Sequence, residues 1–327
     1  MRKFIHANAK TVEEAVSLLK RYGDKAVPIA GGTDLMGKMK DEILPTYPEA
    51  IINLKTIPGL DFIGEEEGEL RIGALTRLED IATDSLIKRR YRALSEAAER
   101  TASTHLREMG TLGGNLCQDI RCWFYRNPKN RFPCLRKGGG RCYALEGDNR
   151  YHSIFGGSVS EGCMAVHPSD TAPALIALDA RILTSRRTVR AEDFFEVGVC
   201  RTTVLDPDEI VTEIRIPTPL EGAKSSFIKF ALRESIDFPI VNCGAMVTSS
   251  SGIVTHARVC LNAVWVKPYR AIKAEEAIVG KPITEETAEA AGTAAVVGAK
   301  PLRDNGYMVQ IAKTMVKRAI LACAQRF

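Results

Sequence analysis

The segment from Gly110 to Asp170 limits what this chain can fold into more than any other, because it joins two demanding devices end to end. It opens with Gly110-Thr111-Leu112-Gly113-Gly114-Asn115, a turn so poor in side chains that its backbone amides can meet an anion directly. It then carries Cys117, Cys122, Cys134, Cys142 and Cys163, five of the nine cysteines in 327 residues. A structural loop has little use for that much sulfur. A phosphate-sized turn followed by soft-metal ligands points to a nucleotide cofactor beside a metal or iron-sulfur centre.

A chain of 327 residues exceeds what a single core usually serves, so two domains are expected. An apolar fraction of 45% and a charged fraction of 26% are those of a globular protein, and the net charge of +5 is too mild and dispersed to argue for nucleic acid. No apolar run approaches the roughly 20 residues that span a bilayer. The opening Met1-Arg2-Lys3-Phe4-Ile5-His6 has charge without an apolar stretch behind it, unlike a secretory signal, so a cytoplasmic protein is expected. In a reducing compartment the cysteines are expected to be thiols and metal ligands, not disulfides.

Taken in order, residues Phe4 to Gly23 read as a strand and a helix, with Thr11 and Glu14 as a capping box and Gly23 as the stop. Ala26 to Ala30 is a buried strand leading into Gly31-Gly32-Thr33-Asp34-Leu35, a second turn suited to a phosphate but lacking the spaced glycines of the dinucleotide fingerprint and the lysine of a P-loop. Ile51 to Leu54 is another strand, Asp61 to Gly73 a hairpin, and Thr76 with Glu79 opens a helix continued from about Asp84 to Arg100. A helix over Thr171 to Leu178 and strands at Ala180 to Thr184, Arg187 to Arg190 and Asp208 to Ile216 follow. Pro217-Thr218-Pro219 and Gly222 mark the domain boundary. Beyond it, three antiparallel strands (Phe227 to Leu232, Val241 to Thr248, Val254 to Val264) precede helices near Tyr269 to Val279, Glu285 to Val297 and Gly306 to Ala324.

Two bare turns about eighty residues apart suit a long cofactor with a pyrophosphate, which needs donors from more than one side, and FAD is the obvious candidate. Asp170 reads equally as an acceptor for a ribose or ribitol hydroxyl and as a helix N-terminal charge. Cys122, Cys134, Cys142 and Cys163 follow neither a zinc-ribbon nor a ferredoxin pattern, so four thiolates leave tetrahedral zinc and [4Fe-4S] both open. Arg121, Arg126, Lys129, Arg131, Arg136, Lys137 and Arg141 accompany them, with no acid between Cys122 and Cys142; cations would stabilise an anionic thiolate cluster. The competing reading is a zinc-stabilised nucleic-acid patch with Trp123, Phe124 and Tyr125 as stacking residues. His105, His152 and His167 show no metal spacing and are expected in structural roles, and Cys200, Cys243, Cys260 and Cys323 are expected as core thiols.

Ala30 to Leu35, Gly110 to Asn115, His167-Pro168-Ser169-Asp170 and the C-terminal α+β region together resemble the FAD-binding middle subunit of the xanthine dehydrogenase family of molybdenum hydroxylases, over essentially the whole chain. The insertion between Asn115 and His167 is similar to that of the 4-hydroxybenzoyl-CoA reductase β subunit and of some bacterial aldehyde oxidoreductases, which bind an extra [4Fe-4S] cluster. The resemblance implies an α+β fold: a two-part FAD-binding domain of PCMH type over residues 1–219 (subdomains about 1–56 and 57–219, cluster insertion about 116–166), then a smaller C-terminal α+β domain over 222–327 with a three-stranded antiparallel sheet and helices. It makes Ile29, Ala30, Gly31, Gly32, Thr33, Asp34, Leu35, Thr111, Gly114, Asn115, Ser169, Asp170, Val211 and Lys229 FAD contacts. Cys122, Cys134, Cys142 and Cys163 become the cluster ligands, with Cys117 a bystander or a substitute for Cys122. It also implies a large subunit with molybdenum cofactor, a small subunit with two [2Fe-2S] clusters, a dimer of heterotrimers, and a ferredoxin-like or NAD electron carrier. Catalytic residues belong to the partner, and neither nucleic acid nor a membrane span is expected. The substrate is left open among a phenolic acyl-CoA, an aldehyde and an N-heterocycle.

Overall fold

The computed structural model describes residues 1–158, 162–196 and 201–324. They form three sheets, each with its own core. The first is parallel, in the order β1 (Ile5–Asn8), β3 (Ala50–Asn53), β2 (Ala26–Ile29). Its crossovers are α1 (Val12–Tyr22) and α2 (Leu35–Lys40). Thr11 caps α1 by accepting from the Glu14 amide at 3.1 Å, and Ala15 and Leu19 on the inward face bury against Ala50 and Ile52. The chain therefore leaves the end of β2 directly into the first glycine turn.

The second sheet is antiparallel, in the order β4 (Ile63–Glu66), β5 (Glu69–Gly73), β8 (Val211–Pro217), β6 (Arg181–Thr184), β7 (Thr188–Arg190). Although β5 pairs directly with β8, the chain between them leaves the sheet for a long helical stretch before returning to it as β6 and β7. That stretch holds α3 (Leu78–Thr83), α4 (Ser85–Arg90), α5 (Arg92–Glu99), α6 (Thr104–Arg107), α7 (Leu112–Leu116) and α8 (Thr171–Ala177). Leu70, Ile72, Ile214 and Ile216 from the sheet meet Leu94, Leu112 and Leu175 from the helices in one core. The helix expected to run unbroken to Arg100 is interrupted: Asp84 caps α4 with two backbone bonds of 2.9 Å, and Tyr91, at φ −127°, separates α4 from α5. Thr76 does not cap α3, since its hydroxyl donates to the Phe62 carbonyl instead.

The third sheet has four strands, not the three expected, in the order β12 (Tyr269–Arg270), β11 (Ile253–Asn262), β10 (Val241–Ser250), β9 (Ala223–Phe230). The extra strand is two residues long and pairs at Cys260–Arg270 and Leu261–Tyr269, too short for an alternating pattern to register. The helices α9 (Ile272–Ile278), α10 (Glu285–Ala295) and α11 (Tyr307–Ala324) bury the core of this sheet. Cys243, Cys260 and Cys323 are buried in the protein as expected, and Cys200 lies outside the described residues.

Candidate functional site

The two glycine turns are in direct backbone contact. A Cβ on Gly31 would stand 2.0 Å from the Met109 carbonyl oxygen, so no other residue fits there, and Gly32 takes a φ of +73°. Between the turns lies a cavity of about 350 Å³ walled by Ile29 to Leu35, Thr111, Gly114 and Asn115. Lys38, Gln118, Arg121 and Phe238 also line it; of these four, sequence patterns single out only Arg121, and that as a cation beside the cysteines. Of the other three, Lys38, one helical turn past Asp34 on α2, was the one with a readable signal.

Asn115 is held by its oxygen. Its Oδ1 accepts from Ser169 Oγ at 2.5 Å and Thr171 Oγ1 at 2.8 Å, which leaves the amide nitrogen as the end those hydroxyls do not engage. Ser169 thus stands behind the cavity wall. Asp170 is buried and accepts from Lys229 Nζ at 2.7 Å and Asn242 Nδ2 at 2.7 Å. Burial pushes the Asp170 carboxyl above its ordinary value, against the pull of Lys229. Lys229 is not a solvent-facing strand residue; its ammonium also donates to the Arg100 carbonyl. Val211 sits in the core of the second sheet. Ser169, Asp170, Val211 and Lys229 are therefore outside the cavity wall, while the ten other predicted contacts form it.

Asp34 lines the cavity with its carboxylate already engaged by Arg121 at 3.0 Å and Arg126 at 2.8 Å. Burial would raise this carboxyl; Arg121, Arg126 and Lys38 override it and hold it below the ordinary range.

Cys122, Cys134, Cys142 and Cys163 line one narrow cavity of about 10 Å³, together with Phe124, Tyr143 and Arg136. Burial pushes the Cys122 thiol up to about 12 and that of Cys163 to about 11, so these thiols ionise only with a strong positive partner. Cys117 instead faces the glycine-turn cavity, which separates it from the other four. Among the described residues no three Cys, His, Asp or Glu side chains close around a point as ligands of one ion would. His152 was read as structural, yet its Nε2 lies 3.2 Å from Cys122 Sγ. Of the aromatic residues of the nucleic-acid reading, Tyr125 is buried with its hydroxyl on Asp119, while Trp123 and Phe124 are half-buried and pack on Tyr151 and Phe132. A further cleft of about 570 Å³ shares Arg121 and Phe238 with the first cavity and Cys122 with the second.

Residues 2–219 match the model of the FAD binding domain in molybdopterin dehydrogenase, and residues 226–323 match the CO dehydrogenase flavoprotein C-terminal domain. The chain belongs to the FAD-binding medium subunits of the xanthine dehydrogenase and CO dehydrogenase family. It is 34% identical over 323 residues, 96% of each chain, to the aldehyde oxidoreductase FAD-binding subunit PaoB of Escherichia coli K12. It is 29% identical to the carbon monoxide dehydrogenase medium chain of Hydrogenophaga pseudoflava, covering 99% of this chain and 98% of that one. A solved structure of the Hydrogenophaga enzyme superposes with a TM-score of 0.79 at 28% identity, over 99% of this chain and 98% of that one. As a member of this family, the chain is an FAD-binding oxidoreductase subunit. The bare turns fit that cofactor, since a backbone that excludes even a methyl at Gly31 leaves amide groups at the cavity surface.

Proposed function

We propose that this chain is the FAD- and [4Fe-4S]-bearing electron-transfer subunit of a heterotrimeric molybdenum hydroxylase-type oxidoreductase. Its partners are a large subunit with molybdenum cofactor, where substrate reacts, and a small subunit with two [2Fe-2S] clusters. The observation that carries the reading is the closeness of the two cavities: Arg121 walls the first and the next residue, Cys122, walls the second. Flavin supplies an exchange between one- and two-electron carriers, and a cluster supplies single-electron steps. The chain's own residues hold and orient. Gly31 and Gly32 shape the pyrophosphate turn, Thr111 caps the facing turn by accepting from the Gly114 amide at 3.1 Å, and Asn115 presents a pre-set amide. Ser169 and the Asp170–Lys229 pair support that wall from behind, and the Val211 contact implied by the resemblance is not part of it.

Cys122, Cys134, Cys142 and Cys163 are the proposed cluster ligands. Burial raises the thiols of Cys122, Cys134 and Cys163, which therefore need positive charge before they ionise; iron ions would provide it, with Arg136 and Lys137 nearby. Two of the four ligands, Cys134 and Cys142, flank a single turn of the chain. That turn carries Gly138 and Gly140 at exposed positions.

Similarity to the aldehyde oxidoreductase subunit favours an aldehyde substrate over a phenolic acyl-CoA such as 4-hydroxybenzoyl-CoA, or an N-heterocycle. An acidic, ferredoxin-like carrier suits the basic surface better than NAD does, although Arg126 is spent on Asp34 and, of the seven basic residues around Cys122 to Cys142, only Lys129, Arg131 and Arg141 are exposed. The decisive measurement is a visible spectrum with iron, zinc and acid-labile sulfide analysis of anaerobically purified full-length chain. FAD with about four irons is expected; zinc, or flavin alone, overturns the cluster assignment.

A further inference from the structure

The densest set of buried charge in the molecule lies between the two cavities, and neither cavity by itself requires it. Asp34 and Asp119 face Lys38, Arg121, Arg126 and Arg136. At the flavin turn, Asp34 Oδ1 accepts from Arg121 Nη2 at 3.0 Å and Arg126 Nη1 at 2.8 Å, while Oδ2 accepts from the Asp119 amide at 3.0 Å. Both arginines return to the same strand of chain: Arg121 Nη1 donates to the Asp119 carbonyl at 2.6 Å, and Arg126 Nη2 does so at 2.9 Å. The Asp119 carboxylate then holds Lys38 Nζ at 3.0 Å, the Tyr125 hydroxyl at 2.5 Å and Arg136 Nη2 at 3.6 Å. Arg136 lies between Cys134 and Cys142 and walls the cysteine cavity; Lys38 and Arg121 wall the flavin cavity.

Charges buried in this way tolerate no half measures, since removing one partner strands another in a low-dielectric site. The segment that supplies Arg126 and Arg136 has little regular structure, only two short turns of 3-10 helix at Pro128–Asn130 and Leu135–Lys137. A group held by Cys122, Cys134 and Cys142 would fix this segment further, and with it the Arg126 and Arg136 side chains that reach Asp34 and Asp119 beside the glycine turn.

We propose that Asp119 is a positioning residue coupling the two cofactor sites, so that a chain whose four cysteines hold their cluster binds FAD more tightly than one whose cysteines are empty. Linkage makes the effect reciprocal, with FAD raising the affinity for the cluster by the same factor. The inference rests on the cluster reading above. Couplings carried by one two-state element run from about 5- to 150-fold, and about tenfold is expected here.

The test is a double-substitution cycle on the full-length chain. FAD dissociation constants are read from flavin fluorescence for the iron-loaded wild type, Cys142→Ser, Asp119→Asn and the pair combined, with iron and sulfide counted in each. Cys142→Ser is expected to weaken FAD about tenfold. Asp119→Asn is expected to weaken it too, while adding Cys142→Ser to Asp119→Asn changes it by less than about twofold; two independent losses of stability would multiply instead. Arg136→Gln, which removes the Asp119 ion pair beside the cysteine cavity, serves as a second variant should Asp119→Asn fail to fold, and Asp119→Glu should restore part of the coupling. Equal FAD binding with and without iron, or factors that multiply, overturns the coupling alone. A wild-type chain carrying flavin and no iron overturns the cluster reading, and the coupling falls with it.

Discussion

Gly31 shows how narrow the tolerances are at single positions. A methyl group there would meet the Met109 carbonyl at 2.0 Å, so Gly31→Ala must push the two turns apart. We expect it to destabilise the chain by about 1–3 kcal/mol and to lose most bound FAD, as visible absorbance after gel filtration would show. Lys229 and Asp170 make the opposite case, a pair sealed at 3% and 4% side-chain exposure. Lys229→Met leaves a buried carboxylate without its ion-pair partner, with only the Asn242 amide still donating to it, and should cost about 3–5 kcal/mol in urea unfolding at neutral pH. Asp170 already ionises above its ordinary value, and losing Lys229 raises it further. A raised carboxyl favours the folded state at low pH and loses that advantage as pH rises through the folded value, so the deficit of Lys229→Met should shrink on mild acidification. A deficit that stays constant with pH would refute the account. His167 works the other way: burial, with Arg121 adding repulsion, lowers it from 6.5 to about 3. Its contribution is complete above 6.5 and is lost as pH falls toward 3, because the unfolded chain takes the proton first. Urea midpoints of His167→Asn should fall less steeply across that window than those of the wild type.

At the scale of elements, helical spacing and caps could be read where they were strong and local. Thr11, Gly23 and the apolar face of α1 are local signals, and the helix ends where they place it. The stretch from Thr76 to Arg100 misleads because its helical spacing continues across two breaks, one set by the Asp84 cap and one at the buried Tyr91. Thr76 donates its hydroxyl to Phe62, across from the hairpin, and Tyr91 is buried in the core, so packing overrides a continuous pattern. Asp84 is the true cap of α4, and Asp84→Ala should lower stability by about 1 kcal/mol in chemical denaturation, whereas Thr76→Val should leave helix content unchanged. The two-residue strand β12 has no pattern of its own, being defined only by the neighbour it pairs with.

For the whole molecule, the distribution of charge changes once the fold is known. Seven basic residues around the cysteines suggest a uniformly basic flap. Folding instead draws Arg121, Arg126 and Arg136 inward onto Asp34 and Asp119, and leaves Lys129, Arg131 and Arg141 outside. Converting those three to Gln should slow reduction of an acidic protein carrier at low ionic strength and flatten its salt dependence, because only surface charge is screened over about 10 Å. An unchanged salt slope would remove the flap from carrier docking. Among the described residues no helix is long and apolar enough to cross a membrane.

The amino-acid sequence alone determined the chemistry on offer: two bare turns, a rare density of thiols, and the order of elements that bring them forward. Those follow from local composition and from the family pattern of Gly31 to Leu35 and Gly110 to Asn115, which neighbouring residues carry by themselves. Tertiary structure alone decided the company each group keeps. It put Cys117 with the glycine turns and Cys122 with the other three cysteines, kept Ser169, Asp170 and Lys229 out of the cavity wall and Val211 in the second-sheet core, and set His152 against Cys122. The reason is physical: burial, ion pairing and contact depend on residues distant in the chain, such as Asp34 and Asp119, which are 85 positions apart and 3.0 Å from each other in space.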